Sequence, residues 1–139
     1  MSTFQPGSHY AFPAPIPDAD TTHIARKMFD IAYADRSPAQ RLDIYWPAAG
    51  NGPFPVIVAI HGGAFMGGDK RDAQLEPMLA GLERGYAVVS INYRMSGEAI
   101  FPALVHDVKA AIRWVRANAA NFLFDPARIA VWGGSAGGY

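Results

Sequence analysis

The sequence predicts an α/β fold with a mainly parallel sheet and crossover helices. Two short segments with alternating apolar residues come first, and three continuous apolar runs follow them. Amphipathic helical segments separate the three runs. Continuous apolar runs are typical of strands that are buried on both faces of a parallel sheet. A helix between two such strands provides the crossover connection.

The two alternating segments, residues 28–34 and 42–46, predict two early antiparallel strands. Residues 36–38 read Arg-Ser-Pro and suit a hairpin-like loop between them. Residues 50–53 read Gly-Asn-Gly-Pro and predict a turn. The first continuous apolar run, residues 55–60, follows this turn and predicts a strand that is buried on both faces.

A first helix is predicted to begin near Leu75, because Pro77 is accommodated only in the first turn of a helix. Asp69 and Asp72 suit the N-terminus of this helix, and Gly85 suits its C-terminal cap. Its apolar face follows the spacing i, i+3, i+4 and i+7 and comprises Leu75, Met78, Leu79 and Leu82.

The second buried strand is predicted at residues 86–91, and Pro102 is placed to open a second helix. The apolar stripe of this helix comprises Leu104, Val105, Val108, Ala111, Ile112 and Val115. His106 and Asp107 are interpreted as surface or helix-end residues, since neighbours in a helix point about 100° apart and make a poor catalytic pair. An Asp-Pro turn precedes the third buried strand, residues 129–132.

Composition narrows the classes of function. Lysine and arginine total 12, as do aspartate and glutamate, and no basic stripe or polybasic run indicates nucleic acid or an anionic membrane as a partner. The absence of cysteine excludes disulfides and thiolate metal sites. Because there is no signal-peptide pattern and no apolar run of about 20 residues, we expect a cytoplasmic location.

The 139 residues predict one domain preceded by an arm. Residues 1–27 are expected to form an extended arm, because proline fixes the backbone and removes hydrogen-bond donors. The prolines at its start are Pro6, Pro13, Pro15 and Pro17. Residues 28–139 form the domain.

A glycine-flanked serine follows the third buried strand. Residues 133–137 read Gly-Gly-Ser-Ala-Gly. In such a strand-to-helix turn the serine adopts a strained backbone that exposes its hydroxyl, and Gly133 and Gly137 provide the space. The pattern predicts that Ser135 is a nucleophile. A glycine-rich loop that binds another ligand is the alternative, although the Gly-Lys-Ser/Thr sequence of a phosphate loop is absent.

A second glycine-rich motif follows the first buried strand, where residues 61–65 read His-Gly-Gly-Ala-Phe. Acyl transfer requires backbone N–H groups that stabilise a negatively charged oxygen. We therefore predict an oxyanion hole formed by Gly62 and Gly63, with Ala136 as the second donor site. The alternative is a plain flexible loop. His61 is interpreted as a structural residue of this motif rather than as the general base.

These motifs resemble those of α/β-hydrolase esterases and lipases. The similarity includes the His-Gly-Gly motif and the Gly-x-Ser-Ala-Gly-Gly elbow, and it spans about residues 28–139. Gly134 stands where hormone-sensitive-lipase-like members usually have aspartate, and Ala64 stands where they usually have a third glycine. Both departures resemble bacterial carboxylesterases related to feruloyl and acetyl-xylan esterases.

The resemblance implies a serine carboxylesterase that hydrolyses small-molecule esters without a metal or an organic cofactor. In this family the catalytic acid and then the histidine follow the serine along the chain. Residues 28–139 therefore correspond to the N-terminal half of the fold, an incomplete domain that ends at the elbow. We expect this chain to be inactive alone and to be completed by a C-terminal fragment or a second chain. The third buried strand would otherwise expose its apolar faces at a sheet edge.

Two other functions stay open on the sequence alone. An amidase or peptidase on the same fold would use the same serine. A non-catalytic hydrolase-like module would bind a ligand or a partner without turnover.

Overall fold

The computed structural model describes residues 15–139 and contains one five-stranded sheet with the strand order β1-β2-β4-β3-β5. The strands are β1 (Lys27–Ala32), β2 (Arg41–Tyr45), β3 (Phe54–Ile60), β4 (Ala87–Ile91) and β5 (Phe124–Gly133). The α-helices are α1 (Glu76–Leu79) and α2 (Ala103–Ala117). Short 3-10 helices cover Ala73–Leu75, Ala80–Arg84, Ala119–Phe122 and Ser135–Gly138.

The sheet is mixed, and the predicted α/β fold class is confirmed. The pairs β1-β2 and β2-β4 are antiparallel, as predicted for the early strands. The pairs β3-β4 and β3-β5 are parallel. Because the chain passes from β4 to β5 across β3, the strand order reverses at β3. Ligand sites in open α/β sheets lie at the carboxyl ends of strands at such a reversal.

The two crossover helices cover opposite faces of the sheet. Alternate residues of β3 take part in different cores, since successive side chains of a strand point to opposite faces. Val56 and Val58 pack in one cluster with Ala111 and Val115 of α2. The second cluster contains Ala59 together with Leu75, Met78 and Leu79 from the α1 region.

The first helix differs from the prediction in its length. It begins as expected, with Pro77 in the first turn of α1, but α1 is flanked on both sides by 3-10 turns. A close approach to the sheet accompanies this irregularity, because a Cβ at Gly81 would lie 2.7 Å from Ile57 Cδ1. Gly85 ends the segment in the left-handed conformation at φ 84°, as predicted for a cap.

Strand β5 is longer than predicted and lies at the edge of the described sheet. The Asp-Pro turn lies within it as an irregularity, in which Asp125 accepts a hydrogen bond from Ala127 N at 2.9 Å. Val131 and Trp132 are 53% and 47% exposed, as expected for this strand when no further polypeptide packs beside it. The reason is that β5 is an edge strand of the described sheet.

The prediction for Asp107 in α2 is wrong. It was expected at the surface, but it is only 2% exposed and accepts hydrogen bonds from Arg94 Nε at 2.9 Å and Nη2 at 2.8 Å. Gln40 Nε2 donates to it at 2.8 Å. Burial alone would raise the pKa of Asp107, but the Arg94 and Gln40 hydrogen bonds hold it below the ordinary value of 3.8. The neighbouring His106 is exposed, as expected.

We predict that Asp107→Asn lowers the free energy of unfolding by about 2 kcal/mol at pH 7, because it removes charge-assisted hydrogen bonds that join α2 to the segment after β4. Urea unfolding of the intact protein that carries these residues measures the effect. Asp125→Asn is the matched control, since its pair with Arg128 is exposed and solvent screening leaves such a pair little effect on stability.

The same substitution has a defined pH dependence. A carboxyl whose folded pKa is depressed stabilises the fold above its unfolded pKa, and this contribution is lost as the pH falls through the folded pKa. The stability difference between the wild type and Asp107→Asn should therefore be full at neutral pH and shrink below pH 3.8. A difference that grows on acidification would contradict the ion-pair assignment.

Candidate active site

The loop after β3 is a compact left-handed turn. Gly63, Ala64 and Phe65 have φ angles of 142°, 54° and 61°. Gly63 O accepts hydrogen bonds from the N–H groups of Met66 and Gly67, both at 3.0 Å. A side chain at Gly63 would collide with the carbonyl oxygen of Gly67, so glycine is required there. Ala64 and Phe65 occupy a strained region for L-residues, which the surrounding contacts must maintain.

His61 lies beneath this loop and outside the cleft that the loop borders. Its ring is buried and stacks on Tyr93, with the ring centroids 4.7 Å apart. His61 Nδ1 donates to Gly62 O at 2.9 Å, and the Tyr93 hydroxyl donates to His61 O at 2.7 Å. These contacts support the interpretation of His61 as a structural residue of the motif.

The turn after β5, which contains the elbow motif, leads the chain directly from the strand into a 3-10 helix. Ser135 has a φ of 51°, is exposed, and begins the 3-10 helix Ser135–Gly138. A Cβ at Gly137 would collide with the carbonyl oxygen of Ile60 and lie 2.8 Å from that of His61. A Cβ at Gly133 would collide with the carbonyl oxygen of Gly137. The elbow therefore depends on both flanking glycines, as their positions in the sequence indicate.

The elbow and the glycine loop meet. A Cβ at Gly62 would lie 2.8 Å from Gly134 O and 3.2 Å from Ser135 Cβ. Both segments line one cleft of about 610 Å³. This volume is typical of small-molecule sites. The cleft is lined by Pro15, Ile16, Gly62, Gly63, Ala64, Met66, Gly67, Gly68, Gln74 and Ser135.

The predicted oxyanion donors differ in their availability. The Gly62 N–H is not available as predicted, because it already donates a hydrogen bond to Gln74 Oε1 at 2.8 Å. The N–H groups of Gly63 and Ala136 have no hydrogen-bond acceptor within residues 15–139. Of these two residues, Gly63 lines the cleft, and Ala136 directly follows Ser135, which also lines it. Nothing in the sequence indicated Gln74, because its hydrogen bond with Gly62 is made across the loop and not with a near neighbour in the chain.

A partly buried ion network anchors the segment that follows the loop. Lys70 is 3% exposed, and its Nζ lies 2.8 Å from Asp30 Oδ1 and 3.0 Å from Asp43 Oδ1. Arg71 Nε donates to Asp43 Oδ2 at 2.7 Å, and its guanidinium lies 4.3 Å from the centre of the Phe29 ring. Lys70 and Arg71 lower the pKa of Asp30 to about 2 by donating hydrogen bonds to it. This network fastens the loop to β1 and β2.

The end of the predicted arm also contacts this segment. Ala19 N donates to Arg71 O, and Ala73 N donates to Pro17 O, both at 2.8 Å. Pro15 and Ile16 consequently form part of the cleft wall. Residues 1–14, with Pro6, His9 and Pro13, lie outside the described residues.

No histidine among residues 15–139 lines this cleft. His23, His61 and His106 are absent from its lining, and His9 lies outside the described range. Between residues 15 and 139, no cluster of three or more His, Cys, Asp or Glu side chains is placed to hold a metal ion. Within the same range, no helix has both the length and the apolar character to cross a membrane.

Comparison with known proteins decides the family. The family model described as BD-FAE matches residues 42–139. This chain belongs to the BD-FAE family. Two curated relatives of this BD-FAE member come from Mycobacterium tuberculosis. Carboxylesterase NlhH is 43% identical over 97 residues, and Esterase LipQ is 38% identical over 118 residues.

Solved esterase structures share the fold of this BD-FAE member. A truncated form of a carbohydrate esterase from gut microbiota has 38% identity and a TM-score of 0.74 over 88% of the chain. The thermophilic esterase Est2 from Thermogutta terrifontis, with propionate bound, has 30% identity and a TM-score of 0.71 over 84% of it. The predicted relation to α/β-hydrolase esterases is confirmed.

The BD-FAE chain spans only part of these proteins. Its alignments cover 68% and 83% of its own residues, but 30% of NlhH and 28% of LipQ. The structural matches cover 43% of the carbohydrate esterase chain and 44% of Est2.

We predict that Gly137→Ala lowers the free energy of unfolding of the intact protein by about 2 kcal/mol, because the added methyl group is forced against the carbonyl of Ile60 at the end of β3. Gly134→Ala is the matched control, since a Cβ at Gly134 meets no atom within 4 Å and its φ is −110°. We expect the control to change stability by about 0.5 kcal/mol or less in urea titration. Equal effects of the two variants would refute the packing of the elbow against β3.

Proposed function

We propose that this chain supplies the nucleophile and the oxyanion loop of a serine carboxylesterase. One observation carries the proposal. Ser135 is held at a φ of 51° in a glycine-flanked elbow and shares a cleft with the backbone of Gly62 and Gly63. This arrangement suits acyl transfer, because the exposed Ser135 hydroxyl and the Gly63 N–H, which has no acceptor within residues 15–139, belong to residues that line the same cleft. The names of the relatives, carboxylesterase and esterase, support an ester substrate.

The reaction would proceed in two steps, acylation of the serine and hydrolysis of the acyl-enzyme. Ser135 Oγ attacks the ester carbonyl carbon while a base accepts its proton, and the carbonyl oxygen becomes an anion that the N–H groups of Gly63 and Ala136 stabilise. The tetrahedral intermediate collapses, the C–O bond to the alcohol breaks, and the alcohol leaves with the proton. Water then attacks the acyl-enzyme in the same way and releases the carboxylic acid. None of these steps uses a metal or an organic cofactor.

The base and the acid of this mechanism would come from polypeptide outside residues 15–139. The absence of a histidine from the described cleft lining supports this, as does the greater length of the relatives. A C-terminal segment or a second chain that packs beside the exposed face of β5 could supply both groups. A cytoplasmic location stays a prediction from the sequence.

Small esters with an apolar part fit the cleft. Its walls beyond the glycine backbone include Pro15, Ile16 and Met66, and Gln74 is the polar side chain beside Ser135. Apolar walls bind a hydrocarbon group, whereas the backbone donors orient the reacting carbonyl. The names of the relatives favour ester hydrolysis over amide hydrolysis. Turnover of matched ester and amide substrates distinguishes the two activities.

We predict that Ser135→Ala lowers kcat of the intact enzyme for a short-chain ester by at least about 10⁴-fold, because among the described residues that line the cleft no other side chain can form the acyl-enzyme. Hydrolysis of a chromogenic ester measures the loss. Labelling by a fluorophosphonate probe should disappear with the same substitution.

Ser37→Ala is the control, since Ser37 lies in the loop between β1 and β2 and caps Ala39 N. It should keep both activity and labelling. An intact protein that binds esters without turnover and without a Ser135 adduct would refute the proposal in favour of a non-catalytic binding module. Preferential cleavage of the amide would instead indicate an amidase.

A further inference from the structure

The Gln74 side chain holds both polar atoms of Gly62. Gln74 Oε1 accepts a hydrogen bond from Gly62 N at 2.8 Å, and Gln74 Nε2 donates to Gly62 O at 3.2 Å. A primary amide carries an acceptor oxygen and an NH₂ group with two N–H donors, so it can bind a backbone N–H and a backbone C=O together. Gln74 thereby fixes the rotation of the first residue of the glycine loop. It lines the cleft together with Ser135.

Asp72 fixes the orientation of the Gln74 amide. Asp72 Oδ2 accepts a hydrogen bond from Gln74 Nε2 at 3.0 Å, and Asp72 Oδ1 accepts one from Gln74 N at 3.0 Å. Because a carboxylate can only accept here, the Gln74 NH₂ group must face Asp72 and its oxygen must face Gly62 N. Asp72 is itself 3% exposed and accepts from Asp69 N at 3.0 Å.

The consequence concerns which amide hydrogens face the substrate. While Gly62 N–H is bound to Gln74, it cannot donate to a substrate oxygen. Gly63 N–H and Ala136 N–H keep no acceptor within residues 15–139. Backbone donors stabilise an oxyanion only when they are oriented before the charge forms, and small displacements are costly.

We propose that Gln74 is a positioning residue of the oxyanion loop, which directs Gly62 N–H away from the substrate and holds Gly63 N–H toward it. This inference rests on the esterase function proposed above. Gln74 takes no proton and forms no bond with the substrate. It acts through the peptide groups of the loop, and its effect should appear in the transition state rather than in substrate binding.

The first test compares two glutamines in the intact enzyme. Gln74→Ala should lower kcat for a short-chain ester by about 10- to 100-fold and change KM by less than about threefold, because the loop loses its fixed orientation. Gln40→Ala is the matched control. Gln40 also makes three side-chain hydrogen bonds, to Arg36 N, Ser37 N and Asp107, but these lie away from the cleft. It should lower the melting temperature and leave kcat within about twofold.

The second test uses Gln74→Glu, which keeps the size of the side chain and makes its effect depend on pH. When ionised, the new carboxylate faces Gly62 O and Asp72 Oδ2, so two attractive contacts become repulsive. Protonation restores a donor toward one of them. The ratio of kcat for this variant to kcat for the wild type should therefore rise as the pH falls. The charged or titratable groups around the side chain at position 74 are Asp72, which contacts it, and three residues that line the same small void, His61, Asp69 and Lys70.

The outcomes separate this inference from the proposed function. If the wild-type enzyme hydrolyses esters through Ser135 but Gln74→Ala keeps full kcat, the positioning role is wrong and the esterase function stands. A constant ratio across pH for Gln74→Glu likewise overturns the role. If the wild type neither turns over esters nor reacts with a fluorophosphonate at Ser135, the proposed function itself fails. A fall in kcat for Gln74→Ala that matches that for Gln40→Ala would indicate a merely structural effect.

Discussion

The parallel pairing of β3 with β5 is the constraint on which the rest of the site depends. In this register Ile60 lies opposite Gly133, so the two strands end at the same level of the sheet. Each strand is followed directly by its motif. The elbow backbone then packs against the last carbonyls of β3 so closely that no side chain fits at Gly137. A register shift by one residue would reverse the faces of β5 and separate Ser135 from the loop.

Three of the five non-glycine residues at positive φ within residues 15–139 lie in the two motifs. Ala64, Phe65 and Ser135 are non-glycine residues at positive φ, an arrangement that costs about 1 kcal/mol or more at each position. Buried and partly buried contacts lie around these residues, including the hydrogen bond of Gln74 to Gly62 and the ion pair of Lys70 with Asp43. The cleft therefore combines an unfavourable backbone with a rigid support, as expected where donors must be oriented before a reaction begins.

The strands, the helix starts and the two motifs could be predicted because each depends on local sequence. The spacing around Leu75, the cap at Gly85 and the glycines that flank Ser135 all act within a few residues. The supporting contacts could not be predicted in the same way. Gln40 and Asp107 are 67 positions apart, and nothing in either neighbourhood indicates the other. Gln74 was missed for the same reason, and with it the state of the Gly62 N–H.

Arg71 joins three parts of the molecule through different atoms. Its carbonyl binds the segment before β1, its guanidinium pairs with Asp43 in β2, and the same guanidinium lies over Phe29 of β1. Substitutions at these partners should therefore be epistatic, since each one changes the value of the others' contacts to the same residue. Among homologous sequences, positions 29, 43 and 71 should covary, although none of them borders the cleft. Changes at these positions would therefore also affect the cleft, through the short segment that runs from Arg71 to Gln74.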